Sequence, residues 1–425
     1  MPIFFLKIIN SDIDKNNNPN KLGLVYNNKP MKTIYRVFFI ALFTLLLGAL
    51  IFYAKGYRLD LDQGKITGTG ILSINSVPKN SRVYLDDKLI GVTDININLE
   101  PNKYKLKVES ESPNYNTWEK EIFIEKELVI SLHAHLFLKN PGLKPLSSIG
   151  IKKIQQIDDI QQYILLAYDP EIKSDVLYLL NLETPVISLN KKLEILATTQ
   201  ELLSTPEADL SKLKIKISPD FTQLLLNYNQ TGYLITISSK EVLKDINVDS
   251  IEEQWKKEQE KQKAVSFRIF PKEFQKEATS SVEIISIAPD ETKILYKAKK
   301  NTQLPRVINP PIPLAQPDKE TRKLKKGGVY IYDKKQDHNF KLNLNPDADY
   351  LNQFVKWHPD SLHLFFFDKN QVKIIDLDGE NLRTIYAGPF ENEILSVNKK
   401  GNIILLINLN NQNNLYPDLY EIEIN

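Results

Sequence analysis

Histidine pairs are the first places to look for chemistry in this chain. His133 and His135 stand two apart in VISLHAHLF, and on a strand two such residues share a face, where two imidazoles can chelate a metal. Ile130, Leu132, Ala134 and Leu136 form the apolar face of the same strand. The histidines therefore fall with Ser131 on the wetter face, no third ligand is evident, and the expectation is a solvated surface. His358-Pro359-Asp360 pairs an imidazole with a carboxylate, but two similar turns read Ser218-Pro219-Asp220 and Ala288-Pro289-Asp290. A residue replaced by alanine in a sister copy points to repeat geometry rather than catalysis. Asp376-Leu377-Asp378-Gly379 lacks the further ligands of a calcium loop and reads as a hairpin, as does Asp86-Asp87. Cysteine is absent, which excludes disulfides, thiolate metal sites and cysteine nucleophiles. No Gly-rich phosphate loop, Gly-x-Ser-x-Gly or His-Glu-x-x-His occurs. The expectation is no catalytic residue, no cofactor and no metal site.

The elements that carry these residues begin with an anchor. The chain has 425 residues, 42% apolar and 25% charged, with a formal net charge of +2. Two or three folded domains fit that length, and the balance of charge gives no reason to expect nucleic acid. Residues 37–54 read VFFIALFTLLLGALIFYA without a charge, enough to span a hydrocarbon core of about 30 Å. Tyr35, Tyr53 and Tyr57 flank the stretch as interfacial aromatics do. Lys21, Lys29, Lys32 and Arg36 precede it, against Lys55, Arg58 and Lys65 beyond, which favours an inside N-terminus. Residues 1–32 are expected to form a disordered cytoplasmic tail and residues 33–56 a transmembrane anchor. MKTIYRVFF makes Met31 a candidate start.

In residues 67–139 the period is two. KYKLKVE, ININL and EIFIE alternate apolar and polar residues, and the turns Pro78-Lys79-Asn80, Asp86-Asp87-Lys88 and Pro101-Asn102-Lys103 separate them. Six or seven short antiparallel strands make a small β-sandwich. The series SVPKNSRVYLDDKLIGVT, INLEPNKYKLKVES and NYNTWEKEI resembles a PEGA domain, with Pro78-Lys79-Asn80-Ser81 in place of the name-giving tetrapeptide. The resemblance implies a surface-associated, non-catalytic module.

Residues 141–425 repeat themselves. KISPDFTQLLLNY, SIAPDETKILYKA and KWHPDSLHLFFFD each run strand, Pro-Asp turn, apolar strand, with SVNKKGNIILLIN a degenerate copy. Further strands follow each, the order of a propeller blade. With IIDLDGENLRTIYAG this resembles propeller repeats of the TolB and WD type. The fold class expected is all-β: an N-terminal transmembrane helix, a PEGA-like sandwich, then a five- or six-bladed β-propeller. A sixth blade would lie in 193–215. Insertions fall at 240–280 and 301–327. The first carries a charged surface helix, with Ser250 and Glu253 as a capping box and Ile251 and Trp255 as anchors. The second, NTQLPRVINPPIPLAQPDKE, reads as an unstructured loop, or else as a partner-binding segment or flap. The chain stops too early for a fourth strand in its last blade, so a segment between Leu143 and Ile154 is expected to complete it.

The function expected is a non-catalytic, single-pass membrane protein of a bacterial cell surface. Its extracytoplasmic propeller would bind an envelope protein or glycan, and the membrane would be its other partner. The alternative is a propeller enzyme, a carboxylate-based glycan hydrolase or lyase. Carboxylates converging in the central funnel would favour the enzyme. Aromatic and amide side chains there would favour binding.

Overall fold

A computed structural model describes residues 29–54, 57–60, 65–157, 161–182, 193–203, 213–409 and 415–424. The tail expected over 1–32 lies almost wholly outside them. The chain divides into two compact units, Met1–Thr67 and Gly68–Asn425. In the first, an α-helix runs Lys29–Ala54. Its segment Ile34–Tyr53 has a mean hydropathy of 2.3 and is not buried against protein. The helix is thus long and apolar enough to cross a membrane, and its open apolar surface sets it apart from a core helix.

The second unit opens with a sandwich of two sheets. One contains Ile95–Leu99, Gly70–Val77 and Val129–His135, and the other Lys88–Val92, Arg82–Leu85, Asn102–Glu109 and Trp118–Ile124. Leu72, Ile74, Val83, Leu106, Val108, Ile122 and Ile124 fill the space between. All pairings are antiparallel except one: Gly70–Val77 and Val129–His135 run parallel. A period of two cannot reveal this, because side chains alternate in the same way in both kinds of ladder. The Asp86-Asp87 hairpin holds as read, with φ of 48° and 64° at its two central residues.

Five four-stranded sheets follow. Blade 1 comprises Ile151–Ile157, Gln162–Asp169, Ser174–Asn181 and Leu193–Thr198. Blade 2 comprises Lys214–Ile217, Gln223–Tyr228, Thr231–Thr236 and Val242–Ile246. Blade 3 comprises Val282–Ile287, Lys293–Ala298, Val329–Asp333 and His338–Leu342. Blade 4 comprises Lys356–Trp357, His363–Asp368, Gln371–Asp376 and Arg383–Tyr386. Blade 5 takes Glu391–Val397, Ile403–Ile407 and Asp418–Glu423 from the end of the chain, and its fourth strand is Gly142–Pro145. The closing strand therefore comes from the front of the window expected for it, while Ile151 and Ile154 start blade 1. Residues 193–198 are the outer strand of blade 1 rather than part of a sixth.

Apolar clusters join blades 1 and 2, 3 and 4, 4 and 5, and 5 and 1. Between blades 2 and 3 the chain inserts helices instead. Trp255 of the helix Val248–Phe267 packs on Leu225 and Leu234 of blade 2. Phe267, Phe270, Phe274 and Ala278, around and within the helix Lys272–Ser281, cover Ile294, Tyr296, Tyr330 and Tyr332 of blade 3. The insertion is thus a two-helix wedge and not a single surface helix. Its cap also differs from the expected box: Asn247 accepts the Ser250 N–H at 3.0 Å. Asn247 lies just before the apolar spacing begins, where an amide can adopt the extended backbone of a cap.

Candidate functional sites: the propeller mouth and the interdomain junction

The Pro-Asp copies fold into one turn repeated around the ring. The N–H of Phe221, Glu291, Ser361 and Gly401 donates to the carbonyl of Ser218, Ala288, His358 and Asn398 at 2.8–2.9 Å. The fourth residues of these turns, Phe221, Glu291, Ser361 and Gly401, all have left-handed φ, from 57° to 88°. Oδ1 of Asp220, Asp290 and Asp360 accepts the N–H two residues on, at 3.2, 2.9 and 2.8 Å. This is the local bond that makes aspartate a turn residue. The expectation of repeat geometry therefore holds for one oxygen of Asp360.

These turns surround a cavity of about 790 Å³ to which all five blades contribute. Gln156 and Gln161 come from blade 1, Phe221 from blade 2, Ser286 from blade 3, Trp357 from blade 4 and Asn398 from blade 5. The wedge helix adds Gln259 and Lys263, and Lys356 and Lys399 bring two further cations. Trp357 Nε1 donates to Ser286 Oγ at 3.1 Å, which fixes the indole at the mouth. No aspartate, glutamate or histidine is among the described residues that line it. Amides and aromatic faces suit sugar hydroxyls and peptide groups, and the lysines favour an acidic ligand.

The second site lies where the sandwich meets blade 4. His135 is buried, not solvated, because the face it shares with His133 is covered by the propeller. His133 is half-buried and stands 2.5 Å from Asn75 Oδ1. Asp360 Oδ2 is 3.1 Å from His135 Nδ1 and 2.8 Å from His363 Nδ1, and Asp360 Oδ1 is 3.0 Å from His358 Nδ1. His363 Nε2 is 3.3 Å from Asp376 Oδ1. Burial works to lower the His363 pKa, but Asp360 and Asp376 prevail and raise it to about 10. Burial opposes the charge on Asp360 as well, and the three imidazoles outweigh it and hold the carboxyl well below its usual range. His358 is pushed down by burial.

The remainder of the junction borders a cavity of about 400 Å³ in which charged and polar side chains stand among apolar ones. Trp118 Nε1 donates to Asp376 Oδ2 at 3.2 Å, and Asn381 Nδ2 donates to the same oxygen at 2.9 Å. Lys120 forms ion pairs with Asp378 and, at 3.6 Å, with Asp376. Asp376–Gly379 is a hairpin, as read, and its carboxylates also receive the sandwich. The proline-rich segment is an ordered strap rather than a loose loop. Phe123 N–H donates to the Ala315 carbonyl at 2.7 Å, so the strap covers the edge strand of the four-stranded sheet. Ala315 enters the sandwich core. Lys319 and Gln316 bind Glu380 at 2.6 and 2.9 Å.

Sequence reading missed His363, Asp376 and Lys120 as partners of His135 and Trp118. One signal was available. His363 stands where blade 3 has Lys293, and His358 where blade 3 has Ala288. Lys293 bridges Asp290 and Asp333 at 2.9 and 4.0 Å, as His363 bridges Asp360 and Asp376. Aligned copies thus show two histidines gained in blade 4, at its contact with the sandwich.

Residues 69–140 match the PEGA domain family. No curated protein sequence matches the chain. Among solved structures it is similar to the β-propeller domain of the trilobed protease from Pyrococcus furiosus, described as having an open velcro topology. Identity there is 12%, with 84% of this chain and 96% of that one covered and a TM-score of 0.22. It is also similar to the tricorn protease, at 12% identity, covering 72% of this chain but 25% of that one, with a TM-score of 0.17. A protein from Agrobacterium tumefaciens assigned as TolB shows 13% identity over 72% of this chain and 89% of that one, with a TM-score of 0.16. The chain carries a PEGA domain at residues 69–140 and is of mostly β structure. It joins an apolar helix of membrane-crossing length to a PEGA sandwich and a five-bladed propeller.

Proposed function

We propose that this is a single-pass protein of a bacterial cell envelope whose extracytoplasmic propeller binds an acidic glycan or peptide at its mouth. The observation that carries this reading is the lining of that mouth: amides, two aromatic rings and three lysines from five blades and the wedge helix. An enzyme of the carboxylate type needs paired acids there, and the described lining residues supply none. The exposed apolar helix and the PEGA domain support an anchored, surface location.

The test is binding of soluble peptidoglycan fragments by the full chain in detergent. Wild type is expected to bind in a salt-sensitive manner, and the Lys356→Glu, Lys399→Glu double variant to lose binding. Equal binding by both, or none by wild type, would remove the mouth as the site. Protease added to intact spheroplasts tests the location, with digestion of the PEGA domain and propeller as the expected result and protection until lysis as the contrary one.

A further inference from the structure

We propose that His135, His358, His363 and Asp360 form a binding site for a divalent ion of the zinc type, which staples the PEGA sandwich to blade 4. Three of the five histidines in the chain meet here, one from the sandwich and two from the propeller. Their candidate ligand atoms and that of Asp360 all lie within 4.8 Å of one another. The ring centres are 5.0, 5.5 and 5.9 Å apart, and the rings stand at 87–89° to one another. Bonds of about 2.0–2.1 Å from nitrogen to a tetrahedral ion put ligand ring centres roughly 5 Å apart. The imidazoles therefore already have the spread that such an ion requires. Three imidazoles and one carboxylate are a donor set suited to zinc rather than to magnesium or calcium.

A further observation points to an ion. His358 Nδ1 faces both the Asp360 N–H at 3.3 Å and Asp360 Oδ1 at 3.0 Å, and one nitrogen cannot accept from the first while donating to the second. A cation on Nδ1 shared with the carboxylate takes the place of the proton that the contact to Oδ1 needs, and the longer contact to the N–H is then given up. The surroundings also match a metal site. Asp376 holds the far nitrogen of His363, the carboxylate–histidine arrangement that orients a ligand ring, and Phe137 stacks on His135 with ring centres 4.3 Å apart. The side chain of Asp360 is 19% exposed, which leaves the ion a way in.

Blade 3 provides the control. His358→Ala and His363→Lys install the residues that stand at the equivalent turn positions of that blade. They keep a cation between the two carboxylates while removing two ligands. The full chain in detergent, stripped with chelator, would be titrated with zinc chloride against a chromophoric competitor. Wild type is expected to bind one equivalent, and the double variant to bind at least about 100-fold more weakly while keeping its circular dichroism and melting profile. Zinc should also slow proteolysis between the sandwich and the propeller in wild type alone. Wild type that takes up no zinc, or a double variant that binds as tightly as wild type, would overturn the proposal. The cluster would then be a hydrogen-bonded lock in which His363 does the work of Lys293.

Discussion

Leu143 is the backbone partner of Ile422, so the strand that follows the PEGA domain closes the last blade of the propeller. Leu138 N–H also donates to the Ile424 carbonyl at 2.9 Å, which extends the seam back to the linker. Leu419, Ile422 and Ile424 are fully buried in this blade. Deleting residues 419–425 therefore exposes two strand edges and removes roughly 5–9 kcal/mol of side-chain burial. The truncated chain is expected to lose its cooperative unfolding transition in guanidinium. An unchanged transition would show that the ring holds without the seam.

Trp118 ties the sandwich core to blade 4. It is 2% exposed, packs in the sandwich and donates to Asp376 of blade 4. Trp118→Ala is expected to cost about 3–5 kcal/mol by denaturant unfolding. Trp118→Phe keeps most of the packing and loses the bond, and should cost clearly less. Equal costs for the two would mean that the bond to Asp376, not the packing, dominates.

Lys120 occupies a core-facing position of its strand, and its side chain is 7% exposed. Burial tends to lower its pKa, but Asp378 and Asp376 raise it, so it stays charged. Replacing it with alanine leaves the buried Asp378 without its cation, while Asp376 keeps Trp118, Asn381 and His363. The expected loss is about 3–5 kcal/mol, measurable by thermal or denaturant unfolding. Adding Asp378→Asn to that variant should recover part of it. A double variant no more stable than Lys120→Ala would show that Asp378 finds another partner.

Asp337 holds the strap. Its Oδ2 accepts the N–H groups of Val307 and Ile308 at 2.7 and 2.9 Å, and Arg322 lies 3.0 Å from Oδ1. Burial alone would raise its pKa, but those donors and Arg322 hold it below the usual carboxylate value. A depressed folded-state pKa means that the stabilisation is present above the unfolded value, near 3.8, and is lost as pH falls through the folded one. Limited proteolysis of residues 301–327 should therefore be slow at neutral pH and accelerate in acid. In Asp337→Asn it should be fast throughout. A flat pH profile in wild type would separate the strap from this carboxylate.

Much of this architecture is legible in local pattern. The period of two in Asn102–Glu109 and the recurring Pro-Asp turns specify sandwich and blades, because each reflects contacts made within one sheet. The docking of one domain on another is not legible in that way. His135 follows the polar face of its strand faithfully, and only the arrival of blade 4 converts that face into an interior. Lys120 and Ala315 invert the usual order, a charge in a core register and a small apolar residue in a proline-rich strap. The residues that read least well by periodicity are the ones that join the parts. The mouth was legible only as a question, since its lining depends on which turns converge at one end of the ring.

The helical wedge gives the ring two unlike joints. At blade 5 the propeller's first and last strands are laced together by backbone bonds, a joint that resists pulling because every pair must break together. At blades 2 and 3 the joint is a gasket of side chains on two helices, which can slide without breaking a ladder. The helix that supplies Lys263 to the mouth is part of that gasket, so one element both lines the mouth and fills the joint between blades 2 and 3.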